Sequence, residues 1–237
     1  MQEYRAAIVG RSRIGAFIDN ELVGYTSIVL PQSHAAAYEA CSRTDLVAGA
    51  DLRPDVLEQF WRRYNVPAAR QYTDFRELIR REQPDILGVC TQPEQRAEVA
   101  LFAAEHGVRA LYCEKPMCAS LAEAAAIVAA VEQHGVAFNM GTNRRWHPGF
   151  DAMREFIASG ELGALKTLIL YSAGPVFDTC SHWFDLLQRL NGDVPATWVQ
   201  AYLPQGDEVI VGDGPQWGYP WCGKTRPGRA PLPSPTG

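Results

Sequence analysis

The sequence predicts an α/β protein: a parallel sheet covered by helices over residues 1–142, then an incomplete α+β unit with a mostly antiparallel open sheet over 143–212. Three observations carry this reading. Short apolar runs alternate with helix-length segments over the first 140 residues, and a glycine-rich turn follows the first run. After Pro148 the runs become longer and partly alternating, as half-buried strands are.

The elements follow in order. Residues 6–9, 46–50, 86–90, 110–113 and 137–140 are apolar runs bounded by turn or polar residues, and they read as strands. Near-continuous apolarity is the mark of a strand buried on both faces, which parallel sheets require. Residues 56–64, 75–81, 94–105 and 121–134 read as helices between them. The last opens with Ser120 and Glu123 at capping-box spacing, and Gly107 and Gly135 stand where helix ends favour a left-handed residue. Further on, residues 150–158 and 182–190 read as helices, and 165–171 and 198–203 as strands. Residues 213–237 hold six of the 16 prolines, have few aliphatics and read as largely disordered.

Composition narrows the function. The 237 residues are 47% hydrophobic and 21% charged, which suits a chain that buries a sizeable core. Twenty-two basic against 27 acidic side chains leave a net charge of −5, against a nucleic-acid or anionic-membrane binder. No apolar run reaches the roughly 18 residues of a membrane span. The first nine residues do not read as an export signal, so the cytoplasm is the expected compartment. Six cysteines lack a CxxC pair or a zinc-spaced histidine, which points to reduced thiols and no metal.

Gly10-Arg-Ser12-Arg13-Ile14-Gly15 follows the first strand and precedes a helical stretch. In that context, glycines allow a tight turn and bring backbone amides against a dinucleotide pyrophosphate. Ser12 replaces the second glycine, a mild departure because serine is small and can donate to phosphate. Asp51 closes the second strand, where a carboxylate accepts from ribose hydroxyls, although a solvated turn aspartate is the plain alternative. Its distance from Gly15 exceeds the usual spacing, and residues 19–31 supply the extra length. Arg53 leaves the choice between NAD and NADP open, since a guanidinium suits a 2′-phosphate.

Lys115 lies in Glu114-Lys115-Pro116, at the carboxyl end of a parallel strand, where ligands bind in such sheets. Asp178 and His182 lie four apart in Asp178-Thr-Cys-Ser-His182-Trp-Phe-Asp185, leading into a helix. A lysine, a histidine and an aspartate together suit acid–base work on an alcohol or ketone. The plainer alternatives are an N-cap for Asp178 and a packing role for His182. His34, His106, His134 and His147 read as structural or surface, and no catalytic role is assigned to Arg144 or Arg145.

These motifs together resemble the Gfo/Idh/MocA oxidoreductase family: the glycine-rich start, Thr91-Gln92-Pro93, Glu114-Lys115-Pro116, Asn143-Arg144-Arg145, and Asp178…His182…Asp185. The resemblance covers residues 5 to 212. It implies a Rossmann domain for NAD or NADP at 1–142 and a partial substrate and oligomerisation domain at 143–212. It also implies that Gly10, Ser12, Arg13, Ile14, Gly15, Asp51, Arg53, Thr91, Gln92, Pro93 and Glu114 hold the dinucleotide, and that Lys115, Asp178 and His182 surround the substrate carbon. The expected activity is hydride transfer to or from a hydroxyl-bearing carbon of a sugar, polyol or related small molecule, with a homo-oligomer compromised by the short second sheet. The alternatives are a nucleotide-binding module without turnover and NAD-assisted lyase or glycosidase chemistry. Arg96 stands where many members have histidine, and Cys180 where many have glycine. Members also continue well past this length, so a truncated or frame-shifted segment beyond residue 212 is expected.

Overall fold

The computed structural model describes residues 3–11, 13–24, 30–172 and 179–200. The chain divides into two compact units, Met1–Gly141 and Thr142–Gly237.

The first unit is a six-stranded, wholly parallel sheet. Its strands are β1 (Tyr4–Val9), β2 (Thr44–Ala50), β3 (Gln71–Tyr72), β4 (Ile86–Val89), β5 (Ala110–Cys113) and β6 (Ala137–Met140), in the order β3-β2-β1-β4-β5-β6. This is the doubly wound Rossmann arrangement, in which the order reverses beside the first strand and opens a crevice at the carboxyl edge. The linking helices are α1 (His34–Ala40), α2 (Pro54–Tyr64), α3 (Phe75–Glu82), α4 (Pro93–Glu105) and α5 (Leu121–His134).

Successive side chains of β1 serve opposite faces. Ala7 and Val9 join Leu87, Val89, Leu111, Val99, Ala103 and Ile127 in one core, while Ala6 and Ile8 join Ala35, Tyr38, Phe60 and Tyr64 in the other. Both layers are mainly aliphatic or aromatic, which explains why these strands read as unbroken apolar runs.

Helix ends follow the local chemistry. Ser120 Oγ accepts from the Glu123 amide at 3.2 Å, and Glu123 Oε2 accepts from the Ser120 amide at 3.0 Å, closing the capping box of α5. Gly107 (φ +86°) and Gly135 (φ +65°) take the left-handed conformation. Ser120→Ala removes one half of the box and is expected to cost about 1 kcal/mol, read as a lower denaturant midpoint at unchanged slope.

Three elements depart from the sequence reading. The two-residue β3 and the alanine-rich α1 carry too little periodicity to be seen. The stretch after Gly10 is a single π-helical turn, Arg13–Phe17, followed by a 3-10 turn, Ile18–Asn20, rather than a regular helix.

The second unit contains a 3-10 turn (Asn143–Trp146), α6 (Pro148–Ser159) and α7 (Ser181–Leu190). Arg145 ties it together, donating to Asp185 at 2.9 Å and to Asp193 at 2.8 Å, while Arg189 donates to Asp151 at 2.8 Å. The open sheet expected here is not present among the described residues: 165–171 pair with nothing in a ladder. Alternation prepares a segment for a sheet, but a strand exists only through its partner's hydrogen bonds. Of the second expected strand, 198–200 are likewise unpaired, and 201–203 lie outside the described residues, as does the 213–237 segment.

Candidate active site on the carboxyl edge

The turn after β1 is built around two close backbone approaches. A Cβ on Gly10 would sit 2.7 Å from the Cys90 carbonyl carbon and 2.8 Å from the Thr91 nitrogen, and Gly10 adopts φ +82°. A Cβ on Gly15 would sit 2.1 Å from the Gly10 carbonyl oxygen. Neither position accepts a side chain without moving backbone, so the glycines fix the loop hard against the sheet's edge. Ser12 lies outside the described residues. Ile14 packs partly buried against the α1–α2 core, and Arg13 turns outward to Glu21 at 2.8 Å.

Asp51 follows β2 and anchors this loop. Its Oδ2 accepts from the Arg11 amide at 2.8 Å and its Oδ1 from the Arg53 amide at 3.1 Å, with Arg53 Nε 3.6 Å away. Thr91 follows β4, and Gln92 and Pro93 open α4 as N-cap and first residue. Thr91 Oγ1 is buried with no hydrogen-bond partner. An unpaired buried hydroxyl beside a glycine cradle fits a polar ligand lying over the loop.

The Arg11 side chain is fully buried beneath the loop, its guanidinium 4.5 Å over the Phe60 ring, and none of its three nitrogens has a hydrogen-bond partner. Burial pulls its pKa down to about 10, against the opposing pull of Asp51. A charged residue in a glycine-rich loop reads as solvated, so nothing in the sequence marked it.

Beyond β5 come Glu114 and Lys115. Glu114 is buried, with Oε1 3.2 Å from His34 Nε2 and Oε2 accepting from the Lys115 amide at 3.2 Å. Burial opposes its ionisation, but the His34 hydrogen bond and the charges of His34, Lys115 and Arg96 outweigh that, holding its pKa below the ordinary glutamate value. Arg96, also buried, donates to the Pro116 carbonyl. His34 therefore belongs to the interior of this edge, a role that a lone histidine eighty residues upstream does not announce.

In the second unit, His182 is the second residue of α7 and half-buried. Asp178 lies outside the described residues, so its spacing to His182 on one helical face does too. Arg144 stacks its guanidinium 4.3 Å over Trp183. Among the described residues no cluster of metal-ligating side chains occurs, and no helix is long and apolar enough to cross a membrane.

Residues 21–142 match the sequence model of the Gfo/Idh/MocA group, described as an oxidoreductase family with an NAD-binding Rossmann fold. The chain belongs to this family. It is 29% identical over 199 residues to D-apiose dehydrogenase of Paraburkholderia graminis, covering 77% of this chain and 52% of that protein. It is 24% identical over 203 residues to myo-inositol 2-dehydrogenase of Thermotoga maritima, covering 80% and 55%. Among solved structures it resembles scyllo-inositol dehydrogenase of Lactobacillus casei with bound NAD(H) and scyllo-inositol, at a TM-score of 0.66 and 16% identity, over 81% of this chain and 57% of that one. The chain thus spans about half the length of these relatives. The Rossmann fold of this family accounts for the parallel sheet and its strand order.

Proposed function

We propose that the chain serves an NAD(P)-dependent dehydrogenase that oxidises or reduces a hydroxyl-bearing carbon of a sugar, polyol or related small molecule in the cytoplasm. The observation that carries this reading is the position of Lys115. It follows β5 on the same carboxyl edge where Gly10, Gly15 and Thr91 form the cradle after β1 and β4. In a doubly wound sheet that edge is where a dinucleotide and its reaction partner meet. The D-apiose and inositol dehydrogenases among its relatives support the substrate class.

A bound nicotinamide would supply the hydride acceptor or donor. The cradle residues and Asp51 would hold the dinucleotide, and Glu114 would fix the turn that carries Lys115. Lys115 would hold a hydrogen bond to the reacting oxygen as alkoxide character develops. His182 would take the hydroxyl proton, with Asp178 orienting the hydroxyl or the imidazole. These two enter by family resemblance.

The test is a cofactor-reduction screen over polyols, aldoses and inositols, run with NAD and NADP in parallel. Net NADH or NADPH formation supports the proposal. Dinucleotide binding without turnover on any of them overturns it in favour of a nucleotide-binding module, and product formed with cofactor unchanged favours lyase chemistry.

Asp51 sets the expected cofactor. A carboxylate repels a 2′-phosphate and accepts from a free 2′-hydroxyl, whereas the neighbouring Arg53 tempers the difference. Fluorescence titration should therefore find NADH bound more tightly than NADPH by roughly tenfold, about 1.4 kcal/mol. Asp51→Ala should narrow that gap, and tighter NADPH binding in the native protein would remove Asp51 from the ribose site.

A further inference from the structure

We propose that His34 is a positioning residue for Lys115, acting through Glu114, and the proposal rests on the reading of Lys115 given above. The imidazole sits in a slot made by two register partners of the sheet, Gly88 of β4 and Tyr112 of β5. A Cβ on Gly88 would lie 2.9 Å from His34 Nδ1, so only glycine leaves room for the ring there. On the other side the Tyr112 ring stacks on it, with centroids 4.4 Å apart and planes 23° from parallel. His34 is 3% exposed, and its free direction is toward Glu114 Oε1, 3.2 Å from Nε2.

An ionised carboxylate can only accept, so the ring donates through Nε2. That bond fixes the rotation of the Glu114 carboxylate, whose second oxygen takes the Lys115 amide. Gly141, directly after β6, closes the remaining side: a Cβ there would lie 2.8 Å from Glu114 Oε1. Arg96 holds the next residue but one through the Pro116 carbonyl. The backbone that carries Lys115 is thus gripped at both ends by buried charged groups.

The N-terminus of α1, where His34 is the first residue, is anchored as well. Asp19 accepts from the Gln32 amide at 2.6 Å and from the Ser33 hydroxyl, and Ser33 Oγ caps α1 at the Ala36 amide. A buried carboxylate needs hydrogen-bond partners in any case. A purely structural pair would not have to spend its second oxygen on the one amide that sets the direction of the lysine.

Lys115, Lys166 and Lys224 are the only lysines in the chain, which makes amine labelling a clean readout. Modification by 2,4,6-trinitrobenzenesulfonate, resolved by peptide mass spectrometry, is compared at Lys115 and Lys166. His34→Leu removes the donor. His34→Asn keeps a polar group that is too short to reach Oε1, for use if the leucine variant fails to fold. His34→Gln restores an N–H at about the reach of Nε2.

Loosening the turn should raise the Lys115 rate relative to Lys166 by about threefold or more in the leucine or asparagine variant, with NADH binding unchanged. Glutamine should return the rate toward the native value. An unchanged ratio in the leucine or asparagine variant, or no rescue by glutamine, overturns the proposal. Turnover separates it from the parent reading. If Lys115→Met leaves turnover intact, the catalytic assignment of Lys115 fails while the labelling ratio still decides the role of His34. If Lys115→Met abolishes most turnover, adding His34→Leu to it should cost nothing further.

Discussion

Lys115→Met is expected to lower turnover by about 10²-fold or more, the share typical of a positioned proton-handling group and equivalent to about 2.7 kcal/mol of barrier. Methionine keeps the apolar stem and removes the ammonium, so the loss reports charge and hydrogen bonding rather than packing. The Lys115 backbone amide donates to Glu114 and Arg96 donates to the Pro116 carbonyl, and methionine at 115 leaves both of these bonds in place. The turn should therefore keep its shape. Dinucleotide affinity should stay within a small factor of native, because the cradle at Gly10, Gly15 and Thr91 is built after β1 and β4 rather than β5. The measurement is kcat and KM for the polyol that emerges from the screen, beside NADH titration of the same preparations. Near-native kcat would remove Lys115 from the chemistry; a parallel collapse of NADH affinity would mean that the amine serves the cofactor instead.

Much of the first unit was legible because its physics is local. Residues 47–50 and 87–89 are buried on both faces, so their composition alone separates them from the helices between. The capping box at Ser120 and the left-handed glycines at 107 and 135 are determined within a few residues of sequence and came out as read. The glycine cradle, too, follows from a spacing that the backbone needs for close approach.

What escaped depends on distant partners. The expected strand at 165–171 is apolar and partly alternating but has no ladder among the described residues, and alternation cannot supply a neighbour. His34 carried no signal in its own segment. Its meaning comes from Tyr112 and Glu114, about eighty residues on, and from a glycine at 88 that reads as an ordinary strand residue. Arg96 was visible only as a departure from the family's histidine. Its buried position beside Glu114 gives that departure a purpose, since a guanidinium reaches the Pro116 carbonyl while helping to balance the carboxylate.

Arg11→Met is expected to raise stability, by about 1–3 kcal/mol, although it deletes a residue of the nucleotide loop itself. The sign follows from the balance at the buried guanidinium. Removing an ion from water costs several kcal/mol even after relaxation, and all three guanidinium nitrogens here are without hydrogen bonds. Against this stand the ring of Phe60 at 4.5 Å, worth about 2 kcal/mol when desolvated, and the more distant attraction of Asp51. The downward pKa shift agrees that burial prevails over that attraction. Methionine is close to arginine in volume and flexible enough to fill the space between Phe60 and Gly49, where a Cβ would lie 2.4 Å from Arg11 Cδ. The Arg11 amide still donates to Asp51, so the loop keeps its anchor. Thermal unfolding should shift upward by several degrees, at about 2–4 °C per kcal/mol for a chain of this size. Arg11→Ala serves as the control: it removes the same charge but opens a cavity, and should gain less or lose outright. If methionine lowers the midpoint as alanine does, the guanidinium is paired in the folded protein, and the anion that pairs with it becomes the thing to find.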